Sequence, residues 1–215
     1  MISILMPIYN GIEYIDYSVN SILNQTYTNW ELIIGINGHE ENSEVFYCAK
    51  KYENDKIKII DFFNIKSKSE TLNEMIKYTK YNFICLLDVD DIWLNTKLES
   101  QLLFLNNYDV IGTNCRYFGD SNNYPNIPLN DLKNVNMIDL NPIINSSCLI
   151  KKELCYWDSC YEGVEDYDLW LKLWKNKKKF YNVDTIQVLH RIHSTSAFNT
   201  KDNNNKLEEL KKKYF

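Results

Sequence analysis

The sequence predicts an α/β domain built on a mostly parallel central sheet with helices on both faces. Strand-like and helix-like segments alternate through the first half of the chain, which is the pattern of repeated βα units. The segment "NFICLLD" is apolar almost throughout, as expected of a strand covered on both faces. A chain of 215 residues suffices for one sizeable domain. Ligands of such sheets bind beyond the carboxyl ends of the strands, so polar residues there become the site candidates.

The first strand is "ISILMPIY", and Asn10-Gly11 is the turn that follows it. Apolar residues at helical spacing, among them Ile15, Val19 and Ile22, then predict an amphipathic helix. "WELIIGI" and "IKIIDF" are apolar runs of strand length and are predicted as the second and third strands.

A short helix follows the third strand, because Leu72, Met75 and Ile76 recur at helical spacing, and Ser69 is its predicted N-cap. "NFICLLD" is the next strand. A helix containing Leu98 and the strand "YDVIGTN" complete the regular part.

Regular periodicity is lost over residues 116–145, which are rich in Asn, Pro and Asp and are predicted to be irregular. "SSCLI" then predicts a returning strand, and "EDYDLWLKL" opens a further amphipathic helix. The chain from residue 199 is polar and charged, which predicts a solvated helix or a disordered tail. No internal repeat is visible.

Composition narrows the class of protein. The chain carries 24 Lys and Arg against 29 Asp and Glu, a net charge of −5, which argues against nucleic acid as its main partner. No apolar run approaches the roughly 20 residues of a membrane span, and no signal peptide is visible. Six cysteines without a CxxC pair predict reduced thiols, and the cytoplasm is the expected location.

Three carboxylates crowd the end of the fourth strand, at Asp88, Asp90 and Asp91. Because like charges repel, this arrangement favours a bound cation, and Mg²⁺ or Mn²⁺ is typically held by one or two carboxylates plus substrate phosphates. The ordinary alternative is a solvated loop with a helix cap.

A second acidic group opens the helix "GVEDYDLW", where Glu165 and Asp166 are candidates for a general base. A helix N-terminus is expected to lower the pKa of such a carboxylate and keep it ionised. Helix capping alone would explain the same residues.

The third group is "LHRIHSTSAF", in which His190, Arg191 and His193 precede small hydroxyl residues. A neutral imidazole binds transition metals and an arginine suits bidentate contact with phosphate. A structural histidine is the ordinary alternative.

Taken together, these segments resemble the family 2 glycosyltransferases, inverting enzymes with the GT-A fold. The resemblance rests on "SILMPIYNG", "SILNQTYTNWELII", "KSETLNEMI", "LLDVDDIWLNTKLESQ", "EDYDLWLKL" and "HRIHSTS", which occur in the order of the family's motifs, from Ser3 to about Ser196. It implies the GT-A domain at residues 1–198. Residues 1–114 would bind the nucleotide sugar, 115–198 would hold the acceptor and the base, and 199–215 would form the tail.

The resemblance also implies roles for residues at the nucleotide. Pro7, Tyr9 and Asn10 would lie at the nucleotide pocket, with Lys68 and Asn73 nearby.

Metal and catalytic roles follow from the same resemblance. Asp88 would face the ribose or the metal, and Asp90 would hold Mn²⁺ or Mg²⁺ on the donor diphosphate. His193 and Arg191 would help to hold the metal or the diphosphate. Asp166 would be the catalytic base, with Glu165 beside it.

One segment departs from the family. "GINGHEEN" places Ile36 and Asn37 where the family has two aspartates, one of which normally reads the base. Asn37 still donates and accepts hydrogen bonds, so it stays a candidate for binding the nucleotide. A UDP-sugar is the favoured donor and a GDP-sugar is possible. The expected acceptor is a glycan or glycoconjugate.

Two other functions remain open from the sequence. A sugar-phosphate nucleotidyltransferase shares strand-ending carboxylates, but it would carry a Gly-rich, basic phosphate loop that "MPIYNGIEY" lacks. A catalytically silent, carbohydrate-binding GT-A domain is the other, and the altered "GINGH" segment favours it. The oligomeric state is open.

Overall fold

The computed structural model describes residues 1–194 and 203–214. The strands, in chain order, are β1 (Ile2–Ile8), β2 (Trp30–Asn37), β3 (Ile57–Phe62), β4 (Phe83–Leu86), β5 (Ile92–Trp93), β6 (Val110–Gly119), β7 (Asn130–Asp131), β8 (Leu149–Lys151) and β9 (Phe180–Ile192). The α-helices are α1 (Ile15–Leu23), α2 (Glu44–Lys50), α3 (Lys68–Met75), α4 (Lys97–Leu102), α5 (Glu165–Lys175) and α6 (Asn204–Tyr214).

The strands form one sheet in the order β3-β2-β1-β4-β8-β6-β9-β5, with β7 paired to β9. Strands β3, β2, β1 and β4 are all parallel, so their carboxyl ends meet at one edge. β8 runs antiparallel to both β4 and β6, and β9 is parallel to β6 over most of its length. The predicted α/β class with a mostly parallel sheet is confirmed.

Alternate residues of the strands are buried against helices on opposite faces of the sheet. Ile4 and Ile34 belong to the core that includes α1, α2 and α4, whereas Leu5 and Ile33 belong to the core beneath α3, α5 and α6. Both faces are therefore covered, which is why β1 and β2 are apolar at nearly every position.

Several elements differ from the sequence-based expectations. Ser67, and not Ser69, caps α3, because its hydroxyl accepts a hydrogen bond from the amide of Glu70 at 3.2 Å. β6 extends to Gly119, into the segment expected to be irregular. The long strand β9 and the helix α2 were not predicted. The boundary expected after residue 114 falls inside β6, so one continuous sheet crosses it.

The polar end of the chain forms the helix α6, one of the two structures expected for it. Its Leu210 is fully buried against the core of the sheet face that carries α5, so the helix is not solvated on all sides. The end of the family resemblance at Ser196 and the boundary expected at residue 198 lie outside the described residues. Within residues 1–194 and 203–214, the structure has no helix with the length and apolar character that a membrane span requires.

Candidate active site

The carboxylates after β4 point toward three different partners. β4 ends at Leu86, and the chain then turns so that the amide of Asp91 donates to the carbonyl of Asp88 at 3.1 Å. Asp88 contacts Lys68, Asp90 contacts His193, and Asp91 contacts His190. The turn thus separates charges that would repel each other on a continuing strand.

Asp88 is the most heavily bonded of the three carboxylates. Its Oδ1 accepts from Nζ of Lys68 at 2.6 Å, and both of its oxygens accept from the side-chain amide of Asn145, at 3.2 and 3.0 Å. The hydroxyl of Ser146 donates to Oδ2 at 3.4 Å. Burial alone would raise the pKa of Asp88, but Lys68 and Asn145 outweigh it and hold that pKa below its ordinary value.

Lys68 links this turn to the start of α5. It is the first residue of α3, and its Nζ lies 4.0 Å from Oε1 of Glu165 as well as 2.6 Å from Asp88. Burial opposes its charge, but the carboxylates of Asp88 and Glu165 outweigh burial and raise the pKa of Lys68. A permanently charged ammonium group therefore sits between the two acidic groups that the sequence singles out.

Glu165 and Asp166 open α5 in different environments. Oε2 of Glu165 accepts from the amide of Gly163 at 2.5 Å, and Gly163 has a positive φ of 96° that suits glycine. Oδ2 of Asp166 accepts from the side-chain amide of Asn141 at 3.0 Å, and Oδ1 accepts from the amide of Tyr167 at 2.7 Å.

The pKa of Asp166 is raised to about 6, chiefly by burial and next by the neighbouring charge of Glu165. The expectation that the helix N-terminus would lower this pKa is wrong in sign, because burial and a like charge outweigh the helix terminus. The value lies closer to neutral pH, where a general base accepts a proton most effectively.

Asp90 and His193 form the second pair of potential ligands. Oδ2 of Asp90 lies 3.0 Å from Nε2 of His193, and the carbonyl of Asp90 accepts from Nε of Arg191 at 3.0 Å. The guanidinium group of Arg191 lies over the rings of Tyr14 and Phe118, at 4.3 and 4.2 Å. Burial, with Asp91 and Asp88 nearby, raises the pKa of Asp90.

Asp91 is fully buried and ties the turn to β9. Its Oδ2 lies 2.9 Å from Nδ1 of His190, and its Oδ1 accepts from the backbone amide of Arg191 at the same distance. Burial lowers the pKa of His190, but Asp91 outweighs it and raises that pKa to about 9. His190 is therefore protonated at neutral pH, and its contact with Asp91 fixes the end of β9 beside Asp90.

The predicted nucleotide residues lie at the carboxyl ends of β1 and β2. Pro7 is buried within β1, whereas Tyr9 and Asn10 are exposed beyond its end. Asn37, the last residue of β2, is 1% exposed. Its Nδ2 donates to the carbonyl of Lys66 at 3.3 Å, and its Oδ1 is buried without a hydrogen-bond partner.

Asn73 has a different environment from the other nucleotide candidates. Its side-chain amide donates to the carbonyl of Trp157 at 2.7 Å, and its Oδ1 accepts from the amide of the same residue at 3.1 Å. This pair of bonds holds the chain at Trp157 against α3.

A cavity of about 730 Å³ lies between α1 and β5, and its lining includes none of the predicted site residues.

Residues 3–203 match the family model described as Glycosyl transferase family 2, a span that includes every residue of this site. The chain belongs to this family. The resemblance inferred from the motifs is thereby confirmed, and the chain is a glycosyltransferase.

Two relatives from Escherichia coli illustrate the similarity. The O-antigen biosynthesis glycosyltransferase WbnJ is 30% identical over 216 residues, which cover 92% of this chain and 82% of WbnJ. The UDP-Glc:alpha-D-GlcNAc-diphosphoundecaprenol beta-1,3-glucosyltransferase WfgD is 29% identical over 225 residues, which cover 100% of this chain and 84% of WfgD.

Solved structures show the GT-A fold of this glycosyltransferase. S. aureus TarS 1–349 in complex with UDP-GlcNAc superposes with a TM-score of 0.80 at 15% identity and covers 99% of this chain. The mannosyltransferase PcManGT from Pyrobaculum calidifontis, in complex with GDP-Man and Mn²⁺, has a TM-score of 0.69 at 12% identity and covers 91%. This chain spans 66% and 58% of those two chains, so they establish the fold alone.

The candidate site brings together residues that are distant in sequence, and several of them were not predicted. Asn141, Asn145 and Ser146 bind the carboxylates of Asp166 and Asp88. They lie in and just after the segment that lacks periodicity, so nothing in the sequence marked them except their polarity.

Proposed function

We propose that this glycosyltransferase is a metal-dependent, inverting enzyme that transfers a sugar from a UDP-sugar to a hydroxyl group of a glycan or glycoconjugate. The contact of Lys68 with both Asp88 and Glu165 carries the proposal, because it joins the strand-end carboxylates and the start of α5 in one cluster. Residues 1–114 would bind the donor, and 115–198 would hold the acceptor and the base.

Asp90 and His193 are the residues that fit a divalent cation. Their Oδ2 and Nε2 atoms lie side by side, and both are ligand types that Mn²⁺ accepts. Among the described residues, no three His, Cys, Asp or Glu side chains gather closely enough to hold a metal by themselves. Two protein ligands plus the donor diphosphate is a common way of holding such an ion. When bound there, the cation would act as a Lewis acid that offsets the negative charge of the departing nucleoside diphosphate.

Asp88 has a supporting role in this proposal. Lys68 and Asn145 already bind its two oxygens. This favours a role in which Asp88 contacts the ribose through a shared hydrogen-bond network and does not bind the metal directly. Arg191 keeps the backbone of Asp90 in place and contributes positive charge near the diphosphate.

Asp166 is the proposed base that takes the proton of the acceptor hydroxyl. Asn141 and the amide of Tyr167 orient its carboxylate, and the raised pKa makes it a stronger base than an ordinary aspartate. Attack by the activated hydroxyl from the face opposite the leaving group would invert the anomeric centre. Glu165 keeps Lys68 close to this carboxylate.

The choice of donor and acceptor class is supported by named relatives. WfgD is named for UDP-Glc and a diphosphoundecaprenol-linked sugar, and the TarS complex contains UDP-GlcNAc. A GDP-sugar is the second choice, since PcManGT was solved with GDP-Man. We place the reaction in the cytoplasm, because all six cysteines are free thiols, as expected in a reducing compartment.

Thermal unfolding with a panel of nucleotides tests this function. UDP with Mn²⁺ is expected to stabilise the full chain by about 2.7 kcal/mol at 100 times its dissociation constant. Chelation with EDTA should remove most of that gain, and AMP should give none. Stabilisation by UDP that EDTA leaves intact would contradict the metal dependence. Binding without any release of UDP from UDP-sugars would indicate the silent, carbohydrate-binding alternative.

Asn37 provides a test of nucleotide recognition. Its buried Oδ1 lacks a partner, and an unmatched buried acceptor costs about 1–3 kcal/mol, part of which a donor group on the base would recover. Asn37→Ala is therefore expected to weaken UDP binding about tenfold in calorimetric titrations, since tenfold corresponds to about 1.4 kcal/mol. Asn54→Ala, an exposed residue at the opposite edge of the sheet, is the matched control. Equal UDP affinity in both variants would remove Asn37 from the binding site.

A further inference from the structure

The helix α6 lies beyond the residues that match the family model. The family match ends at residue 203, and α6 spans Asn204–Tyr214. It nevertheless packs against α5, the helix that begins with Glu165 and Asp166. Several of its polar contacts are with residues on either side of Asp166, from Glu162 to Asp168.

The first set of contacts, from Lys206 and from Asn203 just before α6, holds the backbone that precedes α5. Nζ of Lys206 donates to the carbonyl of Glu162 at 2.6 Å, and the side chain of Asn203 donates to the carbonyl of Gly163 at 3.2 Å. The amide of Gly163 in turn donates to Glu165. A short path of hydrogen bonds therefore runs from α6 to the acidic residues at the start of α5.

The second set of contacts binds α5 at Asp168, within its first turn. Asp168 is 2% exposed, and its Oδ1 accepts from Nζ of Lys213 and from the hydroxyl of Tyr214, each at 2.9 Å. A carboxylate this deeply buried is costly unless it is paired, so the two bonds hold α6 and α5 together firmly. Asp168 is two residues from Asp166.

The opposite side of the same segment is fixed to α3. The carboxylate of Glu162 accepts from the hydroxyl of Ser67 at 2.7 Å, the amide of Lys68 at 2.8 Å and the amide of Ser69 at 3.2 Å, all at the N-terminus of α3. The residues before α5 are thus held between α3, through the Glu162 side chain, and α6, through its carbonyl.

We propose that α6 is a positioning element for Asp166, acting through Lys206, Lys213 and Tyr214. This inference rests on the proposed function, in which Asp166 is the base. None of the three residues is a catalytic residue. They hold the 162–168 segment so that the carboxylate of Asp166 meets the acceptor hydroxyl at the right distance, and a displacement of about 1 Å can cost roughly 10²-fold in rate.

The test uses the full chain with Lys206→Met and Lys213→Met, singly and together. Lys212→Met, on an exposed residue of the same helix, is the matched control. The double variant is expected to lower kcat about 10- to 100-fold. The KM for the donor and the affinity for UDP should stay within about twofold of the parent chain, because the proposed nucleotide-binding residues lie at the carboxyl ends of the strands. Lys206→Arg should recover most of the activity.

If the double variant folds poorly, Tyr214→Phe removes one hydroxyl from Asp168 and keeps the ring. A lower kcat with unchanged UDP affinity supports the inference in that variant too. Unchanged kcat per folded molecule, or a loss of UDP affinity as large as the loss of kcat, would overturn it.

Asp166→Asn is assayed in parallel to separate the two claims. An inactive Asp166→Asn with fully active α6 variants would overturn only the positioning role. An active Asp166→Asn would overturn the assignment of the base, and with it the inference.

Discussion

Asp166→Asn is expected to lower the rate of sugar transfer by about 10² to 10⁴, the usual contribution of a general base. The asparagine keeps the size of the side chain and its bond with Asn141 after a flip of one amide, but it accepts no proton. UDP affinity should be unchanged, because the proposed donor contacts lie elsewhere. The measurement is kcat with the donor saturating, together with a calorimetric titration of UDP.

The raised pKa of Asp166 adds a pH dependence to this expectation. The base must be ionised, so kcat/KM should rise with pH through about 6 and level off above it. At pH 5 about a tenth of the molecules would carry an ionised base.

The contribution of Asp166 to folding stability should fall as the pH rises. A carboxyl group whose pKa is raised by folding stabilises the folded state below its ordinary pKa, and that contribution is lost as the pH rises through about 6. Asp166→Asn should therefore have a Tm at pH 8 that equals or exceeds that of the parent chain.

Asp55→Asn is the control for this variant, because Asp55 is exposed near the start of β3, at the edge of the sheet away from the site. An Asp166→Asn enzyme that retains more than about a tenth of its activity would be incompatible with the role of base.

Asp90→Ala is the second change with a large expected effect. It removes the carboxylate beside His193 and leaves one of the two proposed protein ligands. Offsetting the charge of the leaving group is worth several kcal/mol, so transfer should fall by about 10² to 10³ or more. The KM for the donor should rise as well, because the same cation would bind the diphosphate.

The loss in Asp90→Ala should be visible in binding alone. Titration of UDP in Mn²⁺ should show the affinity of the variant reduced to the level that the parent chain has in EDTA. Asp55→Ala is the matched control. If Asp90→Ala bound UDP with the same dependence on Mn²⁺ as the parent chain, the assignment of Asp90 as a ligand would fail.

Much of the site follows from local sequence rules. Asp88 and Asp90 come after a buried strand, and the carboxyl ends of parallel strands meet at one edge, so their place at that edge of the sheet could be predicted. Glu165 and Asp166 open an amphipathic helix, which predicts their position at its N-terminus.

The remainder depends on contacts between distant parts of the chain. Asn141 and Asn145 reach Asp166 and Asp88 from a segment without periodicity, so no spacing rule could assign them. The sign of the pKa shift of Asp166 was wrong for the same reason, since burial and the charge of Glu165 are properties of the folded chain.

The strand β9 and the helix α6 show a further limit of prediction from sequence. β9 was not predicted, because its 13 residues mix apolar and polar positions and include His190 and Arg191 near its end. α6 was expected as a solvated helix or a disordered tail because its polar residues outnumber its apolar ones. Buried Leu210 and the bonds of Lys213 and Tyr214 to Asp168 become visible only once α5 is in place.

The most direct test is anomalous X-ray scattering at the manganese edge, on crystals of the full chain grown with UDP and Mn²⁺. We expect a manganese peak within coordination distance of the Asp90 carboxylate and Nε2 of His193, with the UDP diphosphate completing its ligands and Asp166 across the sugar pocket. UDP bound with no manganese at that pair, or bound away from the ends of β1, β2 and β4, would contradict the proposed mechanism.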